Sequence, residues 1–160
     1  KFWKGFEKFS SVHPEAANEA TYSKLIQKIC EHTPSQTSTE DILSQKDTII
    51  QAKSILDKMI SFGIAPHTRS ISPIIKKIVE LEIKKSQESS MQDLSYLLDI
   101  SQKFKLILTK ADFAYLIGFA IFSKIPGKDQ KTVPEEMLLR LLHLIIETYL
   151  EVDQDFFELE

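Results

Sequence analysis

The sequence has a single cysteine and few of the residues that interrupt regular structure. Cys30 is the only cysteine in 160 residues, so an intramolecular disulfide framework is excluded and a reducing compartment is favoured. Four glycines and six prolines leave long uninterrupted segments. No segment alternates apolar and polar residues in the way that predicts a strand. The predicted fold class is therefore all-α.

The sequence also lacks long apolar runs and an excess of positive charge. Its best apolar run, residues 114–122, has nine residues, far fewer than the ~20 of a membrane span. The net charge is −3, so any affinity for RNA would depend on where the lysines lie rather than on their total. The histidines and aspartates are too scattered to predict a two-metal site. We therefore expect no catalytic residue, metal site, cofactor or membrane contact within these residues.

Apolar residues recur every three to four positions and predict six helices in three pairs. Asn18 is a suitable N-cap for the first helix, and Gly63 is a typical C-cap for the second, which we place at about 47–62. Polar stretches at 32–46 and 84–90 are interpreted as loops or insertions. The first five helices are each expected to bury one apolar stripe: Tyr22, Leu25, Ile26 and Ile29; Ile49, Ala52, Leu56 and Met59; Ile71, Ile74, Ile75 and Ile78; Leu94, Leu97, Leu98 and Phe104; Phe113, Leu116, Ile117, Ala120 and Ile121. The sixth helix has a broad apolar face and is expected to be buried on more than one side, through Leu138, Leu141, Leu142, Ile145 and Tyr149.

Three segments align without gaps, each at the start of a predicted pair. They are "NEATYSKLI" at 18–26, "HTRSISPII" at 67–75 and "TKADFAYLI" at 109–117, with starts 49 and 42 residues apart. Helical hairpins repeated at such a period predict an α-solenoid of stacked hairpins. The expected organisation is the end of a preceding repeat in 1–17, a repeat in 18–67 with an insertion at 32–46, a repeat in 68–109 with an insertion at 84–90, and in 110–160 a third repeat and the start of a linker.

The segment "AKSILDKMISFGIAPHTRSISPII", residues 52–75, resembles a pentatricopeptide repeat. The consensus of that family, A-x-x-L-x-x-M-x-x-x-G-[IV]-x-P, is matched in order by Ala52, Leu56 (one place late), Met59, Gly63, Ile64 and Pro66. "NEATY" together with "M-x-x-F-G-I-x-P-x-x-R-S-x-x-P" is similar, more narrowly, to the pentatricopeptide domain of the protein-only RNase P family. Ile71 and Ser72 depart from the Tyr-Gly pair of that family. The resemblance covers roughly residues 16–125.

The resemblance implies part of an enzyme that removes the 5′ leader of precursor tRNA. In that family a pentatricopeptide domain grips the tRNA elbow, where the D and T loops meet. A separate nuclease domain with Mg²⁺ held by aspartates cuts the leader. We expect that domain to lie C-terminal to these residues, and the chain to be a piece of a longer protein. Family membership implies a mitochondrion or another organelle, or the nucleus.

The same resemblance indicates which residues would contact RNA. Pentatricopeptide repeats read a base with the fifth residue of the first helix and the residue just before the next repeat. These positions hold Ser23 with His67 and Ser72 with Thr109, whereas Ala114 in the third repeat has no polar group. Such pairs favour shape-directed binding of a folded RNA. With the basic residues that would hold phosphates, the predicted RNA-binding residues are Ser23, Lys24, His67, Arg69, Ser72, Lys76 and Thr109.

Charge placement supports RNA binding but leaves two other functions open. The first helices, taken as 19–31, 68–85 and 110–124, carry nine basic and five acidic residues, an excess of four. A basic face of this kind suits phosphate binding. The alternatives are a non-catalytic organellar pentatricopeptide RNA-binding factor, and a helical-repeat scaffold that binds protein. The negative net charge is the main argument for the scaffold.

Overall fold

A computed structural model describes residues 4–5, 8, 11–12, 17–31, 39–84, 89–122, 136–137 and 139–147. All regular structure in these ranges is α-helical, so the predicted all-α class is confirmed. Residues 139–147 are helical and are named α6. The other long helices are Glu19–Glu31 (α1), Thr39–Ser61 (α2), Thr68–Lys84 (α3), Ser89–Lys103 (α4) and Lys110–Phe122 (α5).

The chain divides into two compact units, Lys1–Ile74 and Ile75–Glu160, and the division falls within α3. In the first unit, α1 packs against α2. The predicted stripes supply buried residues of both units, as their 3.6-residue period requires. Those of the first unit include Tyr22, Leu25, Ile26, Ile49, Ala52, Leu56, Met59, Ile71 and Ile74. Those of the second include Ile75, Ile78, Leu94, Leu97, Leu98, Phe113, Leu116 and Leu141.

The loop predicted at 32–46 is wrong in its second half. Helix α2 begins at Thr39, eight residues before the predicted start at 47. Two acidic residues, Glu40 and Asp41, follow Thr39 in the sequence, and acidic residues favour the first turn of a helix because of its dipole. A polar composition is therefore compatible with a helix start as well as with a loop. Residues 32–38 lie outside the described part of the chain.

The break predicted at 84–90 is shorter than expected. Helix α3 continues to Lys84 and α4 already begins at Ser89. Only residues 85–88 separate the two helices, and they lie outside the described residues. The serines at the start of α4 are typical of a helix N-terminus, where their hydroxyls can accept hydrogen bonds from free N–H groups. The polarity of residues 89–90 is therefore compatible with a helix start.

Two residues of the predicted stripes are exposed. Ile117 in α5 is 44% exposed and Leu142 in α6 is 54% exposed. Both helices are apolar around most of their circumference, so the sequence period does not select a single buried face. In α6, Leu141 and Leu144 are buried while Leu142 faces outward. The expectation that the last helix is buried on more than one side is therefore wrong for Leu142.

Arg140 fixes α6 to α4 within the second unit. Its guanidinium forms an ion pair with Asp99 and donates hydrogen bonds to the side chains of Gln102 (2.7 Å) and Ser95 (3.3 Å). The Arg140 side chain is only 23% exposed. These contacts therefore set the position of α6 on α4 in addition to the burial of leucines.

Helix α2 ends in a Schellman turn at Gly63, as predicted for a C-cap. The Gly63 N–H donates to the carbonyl of Ile60 at 2.9 Å, and the Ile64 N–H donates to the carbonyl of Met59 at 3.1 Å. Gly63 has a φ of 75°, in the left-handed region. Glycine adopts this conformation without the steric cost that a Cβ atom imposes.

Helix α4 ends in the same turn 42 residues later, with a lysine in place of the glycine. The Lys105 N–H donates to the carbonyl of Gln102 at 3.2 Å, and the Leu106 N–H donates to that of Ser101 at 2.8 Å. Lys105 has a φ of 51°. A side chain in this region costs roughly 1–2 kcal/mol. The chain therefore forms the same turn at Lys105 as at Gly63, although lysine is less suited than glycine to a positive φ.

The two connections that contain these turns match residue by residue. Each has six residues, 62–67 between α2 and α3 and 104–109 between α4 and α5. Only the fifth residue of each is buried, Pro66 in the first and Leu108 in the second. Two of the three aligned segments thus begin from the same local structure.

The Schellman turn at Gly63 gives a stability prediction. Gly63→Ala is expected to lower the free energy of unfolding by about 1 kcal/mol, because a Cβ atom clashes with its own backbone at this φ. Nothing else lies within 4 Å of the position that the Cβ atom would occupy. Urea unfolding monitored by circular dichroism measures the change.

The control is the same substitution inside a helix. Gly118 lies in α5, and its Cβ position is equally open. Gly118→Ala is expected to raise the free energy of unfolding by about 0.5–1 kcal/mol, because alanine has the higher helix propensity. A change of the same sign for both variants would contradict the backbone explanation.

Candidate functional site

The start of α3 meets α1 in a polar group of four side chains, Glu19, Ser23, Arg69 and Ser70, which we call the Glu19 cluster. Both Glu19 oxygens accept hydrogen bonds from Arg69 Nε at 3.0 Å, and Arg69 Nη2 completes the ion pair. Glu19 Oε1 also lies within hydrogen-bond distance of the hydroxyls of Ser23 and, at 3.2 Å, of Ser70. One carboxylate thus joins residues 50 positions apart in the chain.

The two serine hydroxyls of the Glu19 cluster are buried and use their hydrogens internally. Ser23 is 4% exposed and Ser70 is 0% exposed, and their Oγ atoms are 2.7 Å apart. Each hydroxyl has one hydrogen, and the acceptors within reach are Glu19 Oε1 and the other hydroxyl. Ser70 Oγ in addition accepts the N–H of His67 at 3.1 Å. Ser23 therefore has no spare donor for an external ligand.

The third residue of α3 and that of α5 cap their own helices in the same way. Ser70 accepts the backbone N–H of His67, and Asp112 accepts the backbone N–H and the hydroxyl of Thr109, both at 2.8 Å. The Thr109 hydroxyl in return accepts the N–H of Asp112 at 3.2 Å. This is a capping box, which satisfies N–H groups that a helix start leaves free. Thr109 is therefore held as a helix cap.

Helix α1 is capped by Asn18, as predicted. The Asn18 Oδ1 atom accepts the N–H of Thr21 at 3.1 Å and the Thr21 hydroxyl at 3.0 Å. An asparagine in this position satisfies donors that have no partner within the helix. The cap places Glu19 in the first turn of α1, where the helix dipole also favours a negative charge.

The Glu19–Arg69 pair is fully charged at neutral pH. The pKa of Glu19 is lowered to about 2, first by the hydrogen bonds from Arg69 and, to a smaller extent, by those from Ser23 and Ser70, against the opposing effect of desolvation. Glu19 in turn raises the pKa of Arg69. The Glu19 side chain is 18% exposed and that of Arg69 is 61% exposed. The carboxylate is thus enclosed while much of the guanidinium faces solvent.

The structure brings only some of the predicted RNA-binding residues together. Ser23 and Arg69 share Glu19, and the backbone of His67 joins them through Ser70. The remaining four, namely Lys24, Ser72, Lys76 and Thr109, lie outside the Glu19 cluster. Of these, Lys24 and Thr109 are exposed, Ser72 is half-buried, and the Lys76 side chain is 55% exposed with its Nζ 3.9 Å from Glu80.

The predicted excess of positive charge on the first helices is too large. Over the observed bounds, α1, α3 and α5 carry seven basic and five acidic residues, an excess of two rather than four. One of the basic residues, Lys77, is 4% exposed. The difference arises because Lys85 and Lys124 were counted in the prediction and fall outside these helices. Positive charge is thus concentrated at a few exposed side chains.

Sequence reasoning missed Glu19 and Ser70 as parts of the site. Ser70 had a detectable signal, because it stands three residues after His67, the spacing of a capping pair. Glu19 and Ser23 are four residues apart, so they share a helix face. No sequence pattern indicated the contact between Glu19 and Arg69, because the two residues lie on different helices and are 50 positions apart in the chain.

Comparisons with protein-family models, curated proteins and solved structures found no match for this chain. The resemblance to pentatricopeptide proteins therefore stays a prediction. Among the residues that the structure describes, no three histidine, cysteine, aspartate or glutamate side chains are grouped closely enough to hold a metal ion. None of the described helices has both the length and the apolar character to cross a membrane.

The Glu19–Arg69 pair predicts a loss of stability in acid. The folded pKa of Glu19, about 2, is below its ordinary value of 4.5. Its contribution is therefore complete above pH 4.5 and is lost as the pH falls towards 2. We expect about 1–2 kcal/mol, less than the full shift implies, because Arg69 is largely exposed.

The matched variant for this prediction is Glu19→Gln, which has the same size and no titrating group. Urea unfolding of both proteins between pH 2 and pH 6 separates Glu19 from the other carboxylates. The stability difference should be largest near pH 6 and should shrink towards pH 2. A difference independent of pH would contradict the assignment of the acid effect to Glu19.

The buried hydroxyl of Ser23 gives a second stability prediction. Ser23→Ala should lower the free energy of unfolding by about 1–2 kcal/mol, because Ser70 and Glu19 lose a buried hydrogen-bond partner. RNA affinity, measured under conditions where the variant is folded, should stay unchanged. Unchanged stability with weaker RNA binding would instead mean that Ser23 contacts a ligand.

Proposed function

We propose that this chain is an RNA-binding α-solenoid of the pentatricopeptide kind, and that it is the part of a protein-only RNase P that docks precursor tRNA. The joint repeated after 42 residues carries this proposal: a Schellman turn, a six-residue connection and a capped helix. A recurring joint is what a chain of helical hairpins requires. In this assignment α1, α3 and α5 are the first helices of three hairpins, and α2, α4 and α6 are the second.

RNA would be bound mainly through its phosphates. Lys24 and Lys76 are exposed basic residues on α1 and α3. Arg69 is paired with Glu19, and the hydroxyls of Ser23 and Thr109 form hydrogen bonds to other side chains of the chain. Phosphate contacts position a nucleic acid without reading its sequence. This composition suits a folded RNA recognised by its shape, such as the tRNA elbow. Removal of the 5′ leader, with Mg²⁺, would belong to a nuclease domain outside these 160 residues.

A second candidate function is a helical-repeat scaffold that binds another protein. Leu139, Leu142 and Ile146 are 59%, 54% and 46% exposed. Their i, i+3, i+7 spacing places them on one face of α6. An exposed apolar stripe of this kind is typical of a protein-interaction surface.

Binding of the chain to two RNAs over a range of salt separates these functions. One RNA is a precursor tRNA and the other is an unstructured RNA of equal length. Tighter binding of the tRNA, with an affinity that falls as salt rises, is the expected result. Equal binding of both would favour a non-catalytic pentatricopeptide factor. Absence of binding to either would favour the protein scaffold.

A charge-matched pair of variants tests where the RNA lies. Lys24→Ala/Lys76→Ala removes two exposed charges from the first helices. It should weaken tRNA binding and reduce the slope of log affinity against log salt by up to about two. Lys58→Ala/Lys103→Ala removes the same charge from the last turns of α2 and α4. Equal losses in both variants would mean that binding follows net charge alone.

A further inference from the structure

We infer that Glu19 restrains Arg69 and so limits the affinity of this surface for RNA phosphates. This inference rests on the proposed function and concerns the same surface. It assigns to Glu19 the role of an internal competitor: the carboxylate occupies the guanidinium edge that an RNA phosphate would use. Removal of the carboxylate charge is therefore expected to strengthen RNA binding.

The geometry of the pair supports competition. Arg69 faces Glu19 with its Nε and Nη2 atoms, and Nε lies 3.0 Å from each carboxylate oxygen. This is the forked edge through which arginine makes two parallel hydrogen bonds to a carboxylate or a phosphate. A phosphate that approaches Arg69 would find this edge occupied. Only the rest of the guanidinium is available to it.

Glu19 is also prevented from moving aside. Its Oε1 atom lies within hydrogen-bond distance of the hydroxyls of Ser23 and Ser70, which are both buried. Ser70 is itself fixed by the N–H of His67. An isolated surface pair would exchange its partners readily. Here the carboxylate is anchored on the protein side, so the competition with phosphate persists in the folded chain.

The pair also reduces the electrostatic attraction of RNA. Glu19 and Arg69 together carry no net charge, and α1 has two lysines and two glutamates. The salt dependence of RNA binding reports the number of phosphates that cations neutralise. A neutralised arginine contributes little to that number. An unpaired Arg69 would add about one charge to the surface.

A double-mutant cycle tests the restraint. The proteins are the wild type, Glu19→Gln, Arg69→Gln and the double variant, and the probes are the two RNAs defined above. Glutamine keeps the size of Glu19 and an oxygen that accepts from the serines. Glu19→Gln should bind precursor tRNA several-fold more tightly than the wild type, with the salt slope increased by about one. Arg69→Gln should have little effect in the wild type and should abolish the gain in the Glu19→Gln background.

Ser23→Ala is the control for lowered stability, because Ser70 and Arg69 still hold Glu19 in place and all charges remain. It should give no gain in affinity. Thermal unfolding by circular dichroism establishes that each variant is folded at the temperature of the assay. If Glu19→Gln does not fold, the affinity of Arg69→Gln decides the question. A several-fold loss of RNA affinity in this variant would show that Arg69 already binds RNA in the wild type, and would overturn the restraint. An unchanged affinity would support it.

The outcomes separate this inference from the proposed function. Wild-type binding to tRNA without a gain in Glu19→Gln overturns the restraint and leaves the proposed function standing. Binding by Glu19→Gln alone supports the restraint and contradicts RNA docking by the natural chain. Absence of binding by all four proteins overturns both.

Discussion

The arrangement of the Glu19 cluster in the first unit depends on one group, the carboxylate of Glu19. It accepts hydrogen bonds from Arg69 and lies beside the buried hydroxyls of Ser23 and Ser70. Because Ser70 also caps α3 through the N–H of His67, one acidic side chain links the start of α1 to the start of α3. The pairing of the Arg69 charge and the capping of α3 are thus coupled through Glu19 and Ser70.

The position of that contact depends in turn on how α2 ends. Gly63 takes a left-handed conformation that reverses the chain within two residues, and the next helix then begins after a fixed number of residues. Lys105 performs the same reversal in the second unit, although a lysine is strained there. The same turn geometry therefore occurs with glycine at one position and lysine at the other. This is expected if the connection between the two helices is itself the repeated structural unit.

The sequence predicted the features that depend on local spacing. The buried stripes of α2 and α3, the Asn18 cap and the Gly63 turn were all predicted correctly, because each is decided within a few residues. The start of α2 at Thr39 was missed because a polar composition is compatible with both a loop and a helix start. Ile117 and Leu142 were placed wrongly because neighbouring elements, and not the period, decide which side of an apolar helix is covered. The Glu19–Arg69 pair could not be predicted, since no local pattern joins residues 50 positions apart.

Under the proposed function, RNA would be contacted at its phosphates rather than at its bases, in line with the shape-directed binding that the sequence predicts. Two of the side chains predicted to read bases, Ser23 and Thr109, are engaged as internal partners, whereas exposed lysines remain. Nuclease footprinting of a precursor tRNA with this chain tests the proposed docking most directly. Protection confined to the D and T loops is the predicted result. Protection spread evenly along the RNA, or absent at saturating protein, would contradict recognition of the tRNA elbow.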